Sequence, residues 1–343
     1  MDKLVSVRDF ELAAYEKHLN NKKRLTNKNR DIDQPSSISQ YRDYKIRPRV
    51  LIDVSKQINM SSKILSMPTS VPFGIAPRNM QKYAEKSHEL DALKCSEDLK
   101  TFFTLTSDSS LTIEELASVS HHKRLFLELY MTEPPLIHDN LMKQANAAGF
   151  KAFVITLPSL SYSKREKIQN SSGIKQDVTW SDIKFLKNKS QLPIIIKGVS
   201  TAQDALMAKE IGVDAIWLTN YGGKLHDNKE SLMDIVEETM LALGRGIRPE
   251  VYVEGGVRYG EDIFKLLALG VDFIWIGRPI VWGAMMNGHE GIKKILDIFV
   301  DELGIAMQLA GTVSLKDITR PFIRTPYDRL LSTFGDFINK PKL

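Results

Sequence analysis

Lys197 ends the run 193–198 (PIIIKG), an almost unbroken apolar segment. A lysine there is rarely buried without an anionic partner, so it reads as a cation facing a bound anion or cofactor. Two glycine-rich turns carry arginines further on: Glu254-Gly255-Gly256-Val257-Arg258 and Gly277-Arg278. Glycines let backbone N–H groups approach an anion, and an arginine adds a fork of donors, so the pair reads as a phosphate cradle. Other polar residues close short apolar runs in the same way. They are Ala76-Pro77-Arg78-Asn79, Thr106-Ser107, Glu128 with Tyr130, Thr156 followed by Arg165, and the stretch Thr219-Asn220-Tyr221-Gly222-Gly223-Lys224. No metal site is expected among them.

The elements that must position these residues are eight apolar runs, at 71–77, 101–106, 125–130, 152–158, 193–198, 215–220, 250–255 and 273–278. Each is short and rich in Ile, Val and Phe, as buried parallel strands are. Helical patterns separate them at 86–99, 112–118, 135–148, 202–211, 231–243 and 260–269, and a last long helix is expected over 290–308. Gly149, Gly212 and Gly270 stand just past helical runs, where C-terminal caps belong. Within 159–192 only 183–186 reads as helical. Eight strands alternating with helices predict an α/β fold, a TIM (β/α)8 barrel. Its site then lies at the C-terminal strand ends, where every residue named above falls. A doubly wound sheet is the alternative architecture.

Composition narrows the function classes. The chain has 343 residues, is 43% hydrophobic and carries a formal charge of +5. The segment 21–30 (NKKRLTNKNR) is basic without an acid and reads as a solvated stretch, and no nucleic-acid module is recognisable, so no nucleic-acid partner is expected. The single cysteine, Cys95, excludes an intramolecular disulfide and reads as a small core residue. No apolar run of membrane-spanning length occurs, so no membrane span is expected. The first residues read as an amphipathic helix rather than a signal peptide. The closing Pro341-Lys342-Leu343 departs from a Ser-Lys-Leu peroxisomal address only in its first residue, which leaves cytoplasmic and peroxisomal locations open. Residues 1–45 are expected to form a helix and polar segment, 46–320 the barrel, and 321–343 a tail.

Taken together, RPRVLIDVS, VPFGIAP, AGFKAFVIT, LPIIIKGVSTAQDA, NYGGKLHD, EGGVRYGEDIFKLLALGVDFIWIGRP and DELGIAMQLAG resemble the FMN-dependent 2-hydroxy acid oxidase and dehydrogenase family. The resemblance implies an FMN-binding barrel. It places Ala76 and Pro77 in the turn facing the flavin ring, with Thr106 or Ser107 beside it. Glu128 stands where the family usually has a glutamine at the pyrimidine edge. Thr156 and Thr219 belong to the same flavin-binding set. Lys197 matches the lysine facing flavin N1 and O2, where it supports negative charge on the reduced ring. Glu254 replaces an aspartate that binds ribityl hydroxyls, and Gly256, Arg258, Gly277 and Arg278 match the phosphate cradle.

The substrate half departs from the family pattern. Tyr221 stands at the position of the catalytic histidine, and an unperturbed tyrosine, with a pKa of about 10, is a poor base at neutral pH. His226, beyond the glycine turn, is a weak substitute. Pro158 stands where the family has the aspartate that pairs with that histidine. Lys224 replaces a substrate-binding arginine and loses its bidentate fork. The first active-site tyrosine of the family has no counterpart near Lys23. Tyr130 and Arg165 match the second tyrosine and the remaining carboxylate-binding arginine. The leading expectation is therefore an FMN-binding protein whose ancestral oxidase activity is lost or altered. The alternatives are an active FMN-dependent enzyme oxidising a small 2-hydroxy acid to the 2-oxo acid, and a non-catalytic interaction protein with an empty barrel. The resemblance leaves a homo-oligomer open.

Overall fold

The computed structural model describes residues 4–21, 38–55, 57–78, 88–109, 111–131, 136–157, 178–219, 231–244 and 246–338. Eight strands form a closed barrel: β1 (Phe73–Ile75), β2 (Phe103–Thr106), β3 (Leu125–Tyr130), β4 (Ala152–Thr156), β5 (Ile194–Val199), β6 (Ala215–Thr219), β7 (Glu250–Glu254) and β8 (Phe273–Ile276). Neighbours pair in parallel, and β8 returns to β1 through the register Ile274 to Phe73. The expected barrel is thus the observed one. β1 is shorter than its apolar run because Pro72 and Pro77 flank it and cannot donate to a ladder.

Helix ends follow local chemistry. Thr112 and Thr179 close reciprocal capping boxes with Glu115 and Asp182. The second box starts a helix over Trp180–Lys189, longer than the few residues that periodicity alone suggested. Gly212 and Gly270 end their helices in left-handed conformations, as expected. The last apolar run is divided differently from the sequence expectation. Gly277 ends the strand, and Arg278 begins a helix that continues to Ala310 with a kink at Asn287 and Gly288. Pro279 is tolerated there because the first helical turn has no use for its missing N–H.

The barrel interior is aromatic. Trp217 and Trp275 stack with centroids 4.5 Å apart, and Phe126, Tyr252 and Phe273 pack against Trp275. Strand side chains alternate between faces. Phe126, Val154, Ile195, Trp217, Tyr252 and Trp275 therefore share the interior. Two residues further along each strand, one layer nearer the mouth, come Glu128, Thr156, Lys197, Thr219, Glu254 and Gly277. The strand period alone brings the candidate residues together above an apolar floor.

Flanking segments close the barrel. The helix Val7–Asn21 buries Val7, Phe10 and Ala14. Lys45–Ile46 pairs antiparallel with Ile323–Arg324, and the helix Pro326–Ile338 follows. The segments expected to flank the barrel on either side thus meet each other. Cys95 is buried on the helix His88–Asp98, and burial pushes its thiol up to about 12, so it is no nucleophile at neutral pH. Among the described residues no helix is long and apolar enough to cross a membrane.

Trp275→Ala removes the centre of the aromatic floor. It is expected to destabilise the protein by about 3–5 kcal/mol in urea unfolding. An unchanged midpoint would show that the stack does not support the barrel.

Candidate functional site

The site is built on a buried chain of charges across the barrel mouth. Lys197 Nζ donates to Glu128 Oε1 at 2.9 Å, and Thr156 Oγ1 donates to the same oxygen at 2.8 Å. Lys197 Nζ also lies 3.0 Å from Glu254 Oε2, without the alignment of a hydrogen bond. Arg78 Nη2 donates to Glu254 Oε1 at 2.8 Å. Beneath them, the Lys197 ammonium sits 4.8 Å from the Trp217 ring centroid, a cation–π contact in a dry setting. Glu128, Lys197 and Glu254 are all buried.

The electrostatics follow from that geometry. Burial by itself would lower the Lys197 pKa, but the carboxylates of Glu128 and Glu254 outweigh it and hold the ammonium above its ordinary value of 10.5. Burial would raise the Glu254 pKa, yet Lys197 and Arg78 hold its carboxyl below the ordinary 4.5. Lys197 and Glu254 are thus charged throughout the neutral range, and each needs its partners.

Beside it is a small cleft lined by Arg78, Glu254, Gly255, Gly256, Arg258 and the 275–279 turn. Gly256 adopts a positive φ of 72°, which only glycine takes readily. A Cβ on Gly277 would lie 3.0 Å from Arg78 Nη2 and 3.2 Å from Glu254 Oε1, so a side chain there would fill the cleft. Arg278 opens the long helix, whose dipole places partial positive charge at this end. Arg258 is buried. It donates through Nη1 to the Val257 carbonyl, lies over the Trp282 ring and approaches Glu11 Oε2 at 3.5 Å, while Nε and Nη2 lack hydrogen-bond partners. Buried donors without acceptors are costly, and an anion in the cleft would satisfy them. Glu254 Oε2, likewise without a hydrogen bond, suits a hydroxyl donor. These residues therefore fit a phosphate- and hydroxyl-bearing cofactor such as the expected FMN.

The remaining candidates among the described residues fall at the same mouth. Ala76 donates its N–H to the Ile276 carbonyl, and Pro77 is buried beside it. The Thr106 hydroxyl accepts from the Asp108 N–H, while Ser107 is exposed and donates its own N–H to the Glu128 carbonyl. Thr219 is buried at the end of β6. Tyr130, partly buried, ends β3 in register with Thr156. Arg165, Tyr221 and Lys224 lie outside the described residues, as do Lys23, Pro158, His226 and the C-terminal Pro341-Lys342-Leu343. Sequence reasoning named Arg78 among the strand-end residues but missed its pairing with Glu254. It also passed over Glu11 and Tyr41. Tyr41 donates to the Gly255 carbonyl at 2.6 Å and so helps fix the cradle turn. Neither has a local motif, because both reach the site from the N-terminal segment.

Comparison with known proteins gives a concordant picture. The family model for FMN-dependent dehydrogenase matches residues 27–174 and 165–325. The peroxisomal (S)-2-hydroxyacid oxidase GLO3 of Arabidopsis thaliana is 36% identical over 327 residues, covering 86% of this chain and 89% of the relative. Glycolate oxidase 1 of Oryza sativa is 34% identical over 322 residues, covering 84% and 86%. The recombinant flavin-binding domain of baker's yeast flavocytochrome b2 superposes with a TM-score of 0.83 at 26% identity, covering all of this chain and 93% of that one.

Lys197→Met would leave Glu128 and Glu254 buried beside a lost cation. A loss of about 3–5 kcal/mol is expected, with partial recovery in Lys197→Met/Glu128→Gln. Because the Glu254 pKa is depressed, its contribution is complete above 4.5 and lost as pH falls through the lower folded value. Glu254→Gln should therefore flatten the acid limb of the stability profile. Equal acid sensitivity in variant and wild type would refute the charge chain as a stabilising unit.

Proposed function

Because this chain belongs to the FMN-dependent dehydrogenase family, with FMN as its cofactor, we propose that it oxidises a small 2-hydroxy acid to the corresponding 2-oxo acid. The observation that carries the reading is the buried Lys197 between two carboxylates at the barrel mouth, beside a cradle with unsatisfied arginine donors. Arg258, Arg278, Gly256 and Gly277 would hold the phosphate. Glu254 would take ribityl hydroxyls. Ala76, Pro77, Thr106, Ser107, Glu128, Thr156, Lys197 and Thr219 would border the ring. When bound, FMN supplies an acceptor for the two electrons leaving the substrate carbon.

The chain's own residues do the rest. Arg165 and Lys224 supply the positive charge that a carboxylate needs, Lys224 as a point charge without a fork. Tyr130 offers a hydroxyl at the mouth. Tyr221 stands in the position from which the substrate hydroxyl proton is removed. A phenol near its ordinary pKa of about 10 is mostly protonated at neutral pH, so turnover is slow and rises on the alkaline side. The relatives named as oxidases favour an active enzyme over the lost activity that the sequence alone put first. The name of the Arabidopsis relative also supports a peroxisomal location.

A second reading, FMN binding without turnover, rests on Tyr221, Pro158 and Lys224 together, since base, orienting acid and fork have all been replaced. One experiment separates the two. Under anaerobic conditions, a panel of 2-hydroxy acids is mixed with the yellow protein. The proposal predicts bleaching by at least one acid, faster at higher pH, with loss of bleaching in Lys197→Ala. It also predicts that Tyr221→His speeds bleaching by about 10²-fold or more at neutral pH. No bleaching by any acid across the pH range would leave only the second reading.

A further inference from the structure

Beside a flavin ring that must take up negative charge, a lone buried lysine attracts that charge. Lys197 is not alone. Its ammonium is shared between Glu128 and Glu254, and Glu254 is in turn paired with Arg78. The four side chains carry two negative and two positive charges, so the group as a whole is neutral. Glu254 has its own counter-ion in Arg78, which leaves Glu128 as the carboxylate set against Lys197. Thr156 fixes Glu128 in that role by donating to the oxygen that accepts from Lys197. The pair is dry, so its charges interact far more strongly than exposed ones would.

We infer that Glu128 is a charge-setting residue, whose carboxylate cancels Lys197 and makes the ring-edge site a neutral pair rather than a cation. The inference rests on FMN occupying this mouth, and it concerns how well the bound ring accepts charge rather than whether it binds. Burial alone would have lowered the pKa of an isolated lysine. Here the carboxylates keep it charged while removing the net field it could exert on a neighbour. Glu128 therefore sets the field at the ring edge it would border by cancelling the charge of Lys197.

Sulfite reads this property without substrate or turnover. Its sulfur lone pair forms a bond to flavin N5, and the ring takes up the electron pair as negative charge. No other reactant is needed, and the yellow colour fades. Sulfite is titrated into FMN-loaded wild type, Glu128→Gln, Lys197→Met and the double variant, with free FMN in the same buffer as reference. Wild type is expected to take sulfite within about tenfold of free FMN. Glu128→Gln is expected to bind it at least tenfold more tightly than wild type, Lys197→Met at least tenfold more weakly, and the double variant close to wild type. These factors correspond to about 1.4 kcal/mol per tenfold step. A merely structural role for Glu128 would change unfolding without producing this opposed pattern. Glu128→Met carries the same comparison if the glutamine variant does not fold. A yellow wild type that binds sulfite orders of magnitude more tightly than free FMN overturns the inference, and so does a folded, yellow Glu128→Gln with unchanged sulfite affinity. A wild type that stays colourless after incubation with FMN overturns the proposed function and this inference together.

Discussion

The ion pairing of Lys197 with Glu128 and Glu254 is the constraint on which the rest of the site depends. A buried cation needs carboxylates within hydrogen-bond reach, and those carboxylates sit on β3 and β7, on either side of the lysine's own strand β5. Only a closed barrel brings three such strand ends to one mouth. The aromatic floor of Trp217 and Trp275 seals the cluster from below, which strengthens each charge interaction and raises the cost of losing any member. Arg78 extends the chain to the phosphate side, so ring edge and cradle form one connected electrostatic unit.

That unit is a reason for cofactor binding and chemistry to be separable under the proposed function. The residues that would face the cofactor are held by barrel strands and by one another. The residues that would face the substrate, Arg165, Tyr221 and Lys224, come from the sequence that follows β4 and β6. Loops carry the variable chemistry of a barrel enzyme, while the strand ends carry its common part. On the proposed function, replacement of a histidine by Tyr221 would therefore alter the proton-transfer step while leaving the flavin-side scaffold in place. The reading advanced here, a slow and alkaline-favoured oxidation of a small 2-hydroxy acid, follows from that division.

Much of this was legible in the sequence for a simple reason. A two-residue strand period converts an apolar pattern directly into an interior, so Glu128, Thr156, Lys197, Thr219 and Glu254 declare themselves as the polar residues that end otherwise apolar runs. The glycines at 256 and 277 mark the cradle, the first because of its positive φ and the second because a Cβ would crowd Arg78 and Glu254. What the sequence concealed depends on long-range geometry. That Arg78 pairs with Glu254 across 176 residues, or that Tyr41 bonds the Gly255 carbonyl across 214, has no local signature. The helix starting at Arg278 was hidden for another reason: its first turns are as apolar as the strand before them, and periodicity cannot divide such a run.

The account stands on these strand-end side chains forming an FMN site. Its most direct measurement is the visible spectrum of the purified protein after incubation with FMN and removal of the excess. The account predicts a yellow protein with about one FMN retained per chain, and markedly weaker retention in Arg258→Gln. A correctly folded wild-type protein that remains colourless would contradict it.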